Sequence, residues 1–523
     1  MSARTSSDTA SARSLRIYRE LNNRERAGWV LGLTPAQAVA LLALVVPVLL
    51  SLSAGRWAAA FGWLVVDGLL AALIVVPVRG RSAFRWLTDL IFFQTGVLMR
   101  WSLWQSKAAT GLPGPRDEPD LPGVLARVAF PDGPPFRDQG RLCLIHDTGD
   151  GRWGATARLT HSGVGMLSDA ECERLAARLG NLLIAIGHRE VVDRMSLLVR
   201  TVPDDGTEYD VWRTAHEHAG APDLARQATD ELDATIGSVS VRTELFVTVS
   251  GTESALRRPA AAAGGGTAGR AAVLYRVLDG LDDALKSLGI RSVSWLTSAG
   301  MAEAIRTGFN PAAAAVLTNQ HLTHQQVAPV GAAPGGGSVG LPMAAAGPTF
   351  APTPAARAYH HDGFSSVSYA VMMPEAGTIF GSLGPLLAVR TAGERRTLAI
   401  HYEVLSARAA NRAVQSNRFR NNVMTDWKAN KGFNTTAAEA RKAGGARNQE
   451  SAVAAGHSMV RFTVAASITV PAGWNLEDHA AKLENDASGR FRLLRLELAQ
   501  DSAFVAAALP VGIGLPRLRG ALD

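Results

Sequence analysis

Two long apolar stretches near the N-terminus limit what this 523-residue chain can fold into more than any other feature. Residues 36–54 read AQAVALLALVVPVLLSLSA and contain no charged side chain, and residues 57–78 contain one, Asp67. Each stretch has the ~20 residues that a helix needs to cross the ~30 Å hydrocarbon core of a bilayer. A cleaved signal peptide does not fit, because the first stretch is long and a second follows at once. We therefore predict a two-helix transmembrane hairpin over residues 34–78.

The basic residues around this predicted hairpin indicate its orientation. Its tip carries Arg56 alone, whereas both flanks are rich in arginine. The flanking basic residues are Arg4, Arg13, Arg16, Arg19, Arg24 and Arg26 before the hairpin and Arg79, Arg81, Arg85, Arg100 and Lys107 after it. Because positively charged flanks stay on the cytoplasmic side, we expect the basic N-terminus, residues 1–33, and the C-terminus to be cytoplasmic. The predicted location is the inner or plasma membrane, in a multi-pass arrangement.

Asp67 is the notable residue of the second apolar stretch. A charged side chain near the middle of a bilayer is costly, and it usually faces a partner or a water-filled cavity. Asp67 is therefore a candidate intramembrane polar site, in contact with another membrane subunit or on a polar path. The alternative is a carboxyl group packed between helices near Gly62 and Gly68. Both interpretations stay open, as does the protonation of Asp67.

Residues 79–110 mix apolar side chains with basic ones and are predicted to lie along the cytoplasmic membrane interface. The apolar residues that fall near helical spacing are Phe84, Leu87, Ile91, Leu98, Trp101 and Trp104. An amphipathic helix in the interface has this pattern. A third membrane span is disfavoured, because Arg85, Asp89 and Arg100 interrupt the stretch.

The rest of the chain has the pattern of a cytoplasmic α+β protein. Period-two alternation predicts strands, and Ser168 with Glu171 fits a capping box that begins a helix. The predicted strands are residues 141–147, 153–162, 195–202, 243–250, 363–374, 397–406, 459–470 and 491–498, and the predicted helices are residues 168–187, 208–232, 271–288, 407–431, 476–485 and 501–509. We predict two related modules, each an antiparallel sheet with helices, over residues 136–326 and 358–517.

Three segments rich in Gly, Pro or Ala lack this periodicity and are predicted to be irregular. Residues 111–135 have the composition of a Pro/Gly-rich linker, and residues 257–269 that of an Ala/Gly-rich loop. Residues 327–357 are predicted to be a flexible Pro/Gly/Ala linker. The two modules are therefore expected to be joined by this last tract.

No catalytic or metal-binding constellation is recognisable in the sequence. Neither a G-x-x-x-x-G-K-[ST] loop nor a G-x-S-x-G elbow occurs. His216, His218 and His321 lack the spacing or the acidic neighbours of a metal site. Cys143 and Cys172 are interpreted as two buried thiols in a reducing compartment. We therefore predict no enzyme activity, no cofactor and no metal.

A cluster of arginines in the predicted helix 407–431 is the clearest candidate for partner docking. The chain is basic overall, with a formal net charge of +7. The candidate residues are Arg408, Arg412, Arg418 and Arg420. Such a helix contacts nucleic-acid phosphates, binds an acidic protein or is simply solvated. Nucleic acid is the less favoured partner, and whether this helix binds protein or DNA stays open.

Two parts of the chain resemble components of conjugative type IV secretion systems. Residues 25–50, ERAGWVLGLTPAQAVALLALVVPVLL, resemble the small PrgI-like membrane subunits. The region from Arg141 onward, with SDAECERLAARLGNLLIAIG and the closing FRLLRLELAQDSAFVAAALPVGIGLP, resembles the N-terminal, non-motor domain of the conjugation-type secretion ATPases. The residues that match that family's closing helix and turn are Gln500, Ala503, Phe504, Leu509, Pro510 and Gly512. The likeness is to actinobacterial fusions of these two parts that lack the motor domain.

This resemblance implies a non-catalytic membrane component of a type IV-like secretion or conjugation machine. The implied partners are membrane lipid, a separately encoded P-loop ATPase, other secretion subunits and further copies of the chain. One alternative is an EccE-like membrane subunit of type VII secretion, which also begins with two spans. Another is a membrane-bound enzyme with a degenerate transferase-like domain, which would need a pocket with convergent acidic groups. The transported substrate and the stoichiometry stay open.

Overall fold

The computed structural model describes residues 35–78, 81–112, 114–161, 163, 165, 167–188, 191–203, 213–214, 216–218, 220–236, 241–327, 340–374, 378, 381–406, 409–412, 444, 451 and 458–514. Its α-helices with defined bounds are α1 (Pro35–Ser53), α2 (Trp57–Val75), α3 (Ala83–Leu98), α4 (Asp169–His188), α5 (Asp223–Ile236), α6 (Glu253–Ala262), α7 (Gly266–Ser287), α8 (Ser298–Phe309), α9 (Ala313–Val327), α10 (Leu476–Ala487) and α11 (Gln500–Ala508). Its strands are β1 (Pro77–Val78), β2 (Arg81–Ser82), β3 (Trp104–Gln105), β4 (Val128–Ala129), β5 (Asp132–Pro135), β6 (Arg141–Asp147), β7 (Arg152–His161), β8 (Arg194–Pro203), β9 (Val241–Thr252), β10 (Ile290–Trp295), β11 (Phe350–Ala351), β12 (Tyr359–His361), β13 (Phe364–Met372), β14 (Arg395–Val404), β15 (Val460–Pro471) and β16 (Arg492–Arg495).

The mixture of helices and sheet is that of an α+β protein, as predicted. Near the N-terminus, α1 and α2 are joined by a short turn at Gly55 and contact each other. Within the described residues, α2 is the one helix long and apolar enough to cross a membrane, with a mean hydropathy of 2.2. The apolar part of α1, Val39–Ser53, is shorter than α2. The structure therefore supports one candidate span where the sequence predicted two.

Twelve strands of the described chain form one sheet in which hydrogen-bonded neighbours are antiparallel. The main path runs β12-β13-β15-β14-β8-β9-β7-β6-β4. Off this path, β10 adds to β7, β16 adds to β13 and β5 adds to β6. Both predicted modules therefore contribute to a single continuous sheet.

The two halves of this sheet have the same topology. In the first half the chain runs β7, α4, β8, α5, β9, α6, α7 and β10, and the spatial order of the strands is β10-β7-β9-β8. In the second half β13, β14, β15, α10 and β16 give the order β16-β13-β15-β14. Both are split βαβ arrangements. Where the first half has α4, the described residues of the second have only a 3-10 turn, Gly384–Leu386.

The halves meet where β8 pairs with β14, and we call this pairing the seam. The register places Arg194 opposite Glu403 at one end and Arg200 opposite Thr397 at the other. Nη2 of Arg194 lies 3.0 Å from Oε1 of Glu403, so a cross-strand ion pair reinforces the backbone ladder. The seam thus joins strands that are far apart in the sequence.

Each face of the sheet carries a hydrophobic core. On one face, α4, α6 and α7 cover the first half, where Leu182, Leu256 and Leu274 are buried, and α10 covers the second half through Leu483. On the other face, a core around Phe504 is shared by α8, α11 and residues 340–361. Burial of apolar side chains on both faces is the main interaction that keeps the helices packed against the sheet.

The prediction that residues 111–135 form an unpacked linker is wrong. It contains a 3-10 helix, Gly123–Arg127, together with β4 and β5. Leu121, Leu125 and Phe130 are buried in the core around Phe504. Pro and Gly prevent regular periodicity here, but the apolar side chains between them still pack against the sheet.

Two other irregular segments also differ from the prediction. Residues 257–269 are helical over most of their length, because Thr252 caps α6 by accepting a hydrogen bond from the Ala255 amide. In the predicted linker 327–357, residues 328–339 lie outside the described residues, whereas residues 340–357 pack onto the protein. Met343 and Ala351 are buried there, so this part is not a free linker.

Candidate functional site

Asp67 lies on the buried side of α2. Among the described residues of this helix, Ala60 and Asp67 are the buried ones, and most of its large apolar side chains are exposed. The two are seven residues apart, about two turns, and so share one face. Oδ2 of Asp67 is buried and has no hydrogen-bond partner within the described part of the chain. Asp67 therefore faces neighbouring protein, and its Oδ2 remains able to accept a hydrogen bond from a further group.

The segment after the hairpin is a shorter helix than predicted. Helix α3 contacts α2 and exposes an apolar stripe at Phe84, Ile91 and Leu98. It ends before Trp101, because Arg100 takes a positive φ of 54° and the chain turns away from the helix axis. Trp101 and Trp104 are therefore not on the predicted helix, and Trp104 belongs to β3, which pairs with β11.

A cavity opens beside this turn, and we call it the aromatic cavity. It has a volume of about 200 Å³. The side chains that matter for its chemistry are Trp101, Trp104, Phe309, Tyr359, Val505 and Asp501. Burial raises the pKa of Tyr359, and the carboxylates of Asp501 and Asp362 raise it further, so its phenol is neutral. Among the described residues that line the cavity, Asp501 alone carries a formal charge.

The closing segment of the described chain, Gln500 to Gly514, runs over the face of the sheet that also carries α8. The side-chain amide of Gln500 donates to the carbonyl oxygens of Ser368 and Leu496, and its oxygen accepts from the Ser368 amide. The carbonyl of Pro510 accepts hydrogen bonds from Thr156 at 2.8 Å and from a second threonine on β9. These contacts attach the segment to β7 and β9 in the first half of the sheet and to β13 in the second half.

The residues behind the resemblance are therefore packing residues. Ala503, Phe504 and Leu509 are buried. Gly512 has a positive φ of 72°, a backbone conformation that residues with a side chain rarely adopt. Gln500 is also buried, with all three of its hydrogen bonds inside the protein. Gly512 also lines a pocket whose polar walls include Asp147, Arg152 and Arg194.

A polar strip runs along the same face of the sheet at the seam. His401 lies between the hydroxyl of Ser196, 2.8 Å from Nδ1, and the carbonyl of Ala506, 2.9 Å from Nε2. Since the carbonyl only accepts, Nε2 carries the proton and Nδ1 accepts from Ser196. Burial lowers the pKa of His401 to about 4, and the charge of Arg194 adds to this effect. His401 is thus a neutral structural residue.

Most of the arginine cluster lies outside the described residues. This holds for Arg408, Arg418 and Arg420, whereas Arg412 is described and exposed in a short helical stretch after β14. The predicted helix 407–431 is outside the described residues from residue 413 onward. The prediction that these arginines dock a partner therefore stays a prediction.

The described histidines and cysteines do not gather into a metal-binding cluster. His216 and His218 are exposed, and His321 pairs with Glu303 at 2.8 Å. Throughout the described ranges, no three His, Cys, Asp or Glu side chains are grouped so that they could hold a metal ion. Cys143 and Cys172 are buried free thiols, as predicted, and burial raises the pKa of Cys143 to about 12.

Sequence reasoning missed the aromatic cavity. Its walls come from five separate parts of the chain, around Trp101, Gly123, Phe309, Tyr359 and Asp501. Only the cluster of tryptophans just after the membrane-proximal helix was visible as a signal in the sequence. The partners of these tryptophans depend on pairing between β3 and β11, which no local pattern indicates.

Comparison of the chain with models of known protein families and with curated protein sequences gives no match. The fold and the sites described above define a class in physical terms. This is an α+β protein with a duplicated split βαβ sheet and, in its described part, one helix long and apolar enough to cross a membrane.

Proposed function

We propose that the chain is a non-catalytic membrane component of a type IV-like secretion or DNA-transfer machine. In this proposal α1 and α2 both cross the inner or plasma membrane, and both ends of the chain lie in the cytoplasm. The sheet and its helices form a cytoplasmic platform that anchors a separately encoded P-loop ATPase. Other secretion subunits and further copies of the chain complete the assembly.

The observation that carries the anchoring part of the proposal is helix α2. It has 19 residues, a mean hydropathy of 2.2, and its large apolar side chains are mostly exposed. Exposed apolar surface of this extent is stable in lipid and unstable in water. Helix α1 is also 19 residues long and lies beside it, which supports a second crossing.

The docking part of the proposal is supported by the closing segment. The resemblance to the non-motor domain of secretion ATPases depends on Gln500 to Gly512, and this segment is built into the sheet by buried hydrogen bonds. A domain that completes its own fold in this way can serve as a platform for a motor supplied by another chain. Arg412 and its neighbours in sequence are the candidate contacts for an acidic surface on that motor.

The membrane topology can be tested by cysteine labelling, because Cys143 and Cys172 are buried and give little background. We expect Arg56→Cys, at the hairpin tip, to react with a membrane-impermeant maleimide in intact cells. Ser488→Cys, on the exposed end of α10, should react only after lysis. Labelling of Ser488→Cys from outside, or recovery of the chain in the soluble fraction without detergent, would contradict the anchoring.

The role in secretion can be tested by affinity purification from cross-linked membranes. We expect a conjugation-type motor protein to co-purify, and we expect Asp67→Leu to reduce recovery of membrane subunits while the motor is retained. Leu69→Ala, on the exposed side of α2, is the matched control. Type VII core subunits in place of the motor would favour the EccE-like alternative. ATP hydrolysis by the purified chain alone would contradict a non-catalytic role.

A further inference from the structure

The aromatic cavity combines aromatic walls with one uncompensated carboxylate. Asp501 lies in the first turn of α11. In the described structure its recorded side-chain hydrogen bond comes from the Ser502 hydroxyl, at 3.4 Å, and no ion pair involves it. An acidic side chain beside Trp101 and Tyr359, with no counter-ion among the described residues, has the chemistry of a site for an organic cation.

The position of the cavity indicates where that cation comes from. The exposed apolar surface of α2 continues along α3, which contacts α2, and ends at Trp101, which is 71% exposed. Exposed tryptophans beside a membrane segment sit at the level of lipid headgroups. The mouth of the cavity is therefore within reach of the membrane surface, provided that the anchoring put forward under Proposed function holds.

The size and lining of the cavity fit a headgroup better than an acyl chain. A purely hydrocarbon occupant would leave Asp501 buried beside apolar atoms, which is unfavourable. An ammonium group satisfies this carboxylate and also stacks against the indole and phenol faces, as in aromatic cages for alkylammonium ions. The volume of about 200 Å³ accommodates such a small cationic group.

We propose that the aromatic cavity binds the ammonium headgroup of a membrane phospholipid, with Asp501 as the counter-ion and Trp101 and Tyr359 as aromatic walls. The lipid then fixes the cytoplasmic platform against the bilayer at a second point, separate from α1 and α2. Residues from the membrane-proximal turn and from α11 both contact this headgroup. Lipid binding thereby couples the membrane segment to the closing segment of the sheet.

The test is a calorimetric titration of the full chain in detergent with two short-chain lipids, dihexanoyl phosphatidylethanolamine and dihexanoyl phosphatidylglycerol. We expect saturable binding of the first and none of the second at the same site. Asp501→Asn and Trp101→Ala should each weaken binding about tenfold, the effect of losing a charge-assisted contact. Trp101→Phe should retain most of the affinity, since an aromatic face is kept.

Asp478→Asn is the matched control, because Asp478 is an exposed acid in the first turn of α10 and lies outside the cavity. It should bind the ethanolamine lipid as the unmodified chain does. Equal binding of the two lipids, or no effect of both Asp501→Asn and Trp101→Ala, would overturn the proposal. Equal or tighter binding of free ethanolamine, or of N-acetyl-lysine amide, would assign the cavity to a soluble amine or a protein side chain instead.

This titration uses a dissolved lipid, so its outcome does not depend on where the chain resides in the cell. Failure of the anchoring would appear in the fractionation and labelling experiments. Failure of the headgroup site would appear here, in a chain that still partitions into membranes. The two proposals can therefore be rejected separately.

Discussion

Buried arginines on the strands of the seam show how a single side chain can supply hydrogen bonds to the backbone carbonyls of a neighbouring helix. The guanidinium of Arg395 is fully buried and donates to the carbonyls of Thr307 and Gly308, in the last turn of α8. Those carbonyls have no partner within a helix, and the C-terminal end of a helix is electronegative. Burial lowers the pKa of Arg395 to about 9, and the charge of nearby Arg200 contributes, so it remains protonated at neutral pH.

The neighbouring Arg200 is satisfied by a carboxylate instead. Its guanidinium contacts Glu244 through both Nε, at 3.0 Å, and Nη2, at 2.7 Å. Although burial opposes ionisation, the charges of Arg200 and Arg158 hold the pKa of Glu244 below its ordinary value. Both nitrogens donate to the same oxygen, Oε2, and this charged pair reinforces the pairing of β8 with β9, where the two residues lie opposite each other.

His401 predicts a measurable dependence of stability on pH. Its folded pKa of about 4 lies below the ordinary 6.5, so the unfolded chain binds a proton that the folded chain rejects. Its contribution is complete above pH 6.5 and is lost as the pH falls toward 4, at about 1.4 kcal/mol per pH unit. We expect His401→Asn to lose this slope in urea unfolding between pH 6.5 and 4.

The matched control for this experiment is His218→Asn, because His218 is exposed. Its slope should equal that of the unmodified chain. If His401→Asn also keeps the full slope, the residue does not titrate as its burial between Ser196 and Ala506 requires.

At the scale of elements, Gln500 attaches α11 to β13. We expect Gln500→Glu to lower the free energy of unfolding by about 2–4 kcal/mol, because it removes two donors and buries a carboxylate against the carbonyls of Ser368 and Leu496. Urea titration followed by circular dichroism measures the change. Gln320→Glu, on the exposed side of α9, should stay within about 0.5 kcal/mol. Similar costs for the two variants would contradict this role.

Several elements could be predicted because their signals are local. The capping box at α4 is present, since the Ser168 amide donates to Oε2 of Glu171 at 2.8 Å. The strand MVRFTVAASITV and the helix that follows it appear as β15 and α10, within a few residues of the predicted bounds. Caps and periodicity depend on neighbours within one or two turns, which the sequence displays directly.

Other elements were missed because their signal is not local. The predictions gave no element between residues 289 and 326, where β10, α8 and α9 lie. β10 reads IRSVSW, with a single clear alternation, and becomes a strand because β7 offers it an edge. β8 and β14 were predicted as strands, but the predicted β14 began at residue 397 and left out the buried Arg395 and Arg396, because hydropathy underrates the burial of arginine. Tertiary pairing decided these cases.

At the scale of the molecule, the seam predicts that both halves unfold together. Leu483 is fully buried in the core of the second half, so Leu483→Ala should cost about 2–5 kcal/mol. We expect hydrogen exchange to accelerate equally in β9, in the first half, and in β15, in the second. A single cooperative unit responds in this way, because the ladder between β8 and β14 links the two cores.

The control is Leu224→Ala, since Leu224 on α5 is 77% exposed and belongs to neither core. Exchange in β9 and β15 should be unchanged by it. If Leu483→Ala accelerates exchange in β13 to β16 alone, the halves are independent folding units in spite of the seam.

The matching order of the strands in the two halves has a consequence for the edges of the sheet. A polypeptide of half this length would leave the outer side of β8, or of β14, as an unprotected edge. Two such polypeptides would close their edges by pairing with each other about a rotation axis. The present sheet has the strand order that two copies of one half would form by pairing these edges, and the chain joins them covalently, so neither edge is exposed.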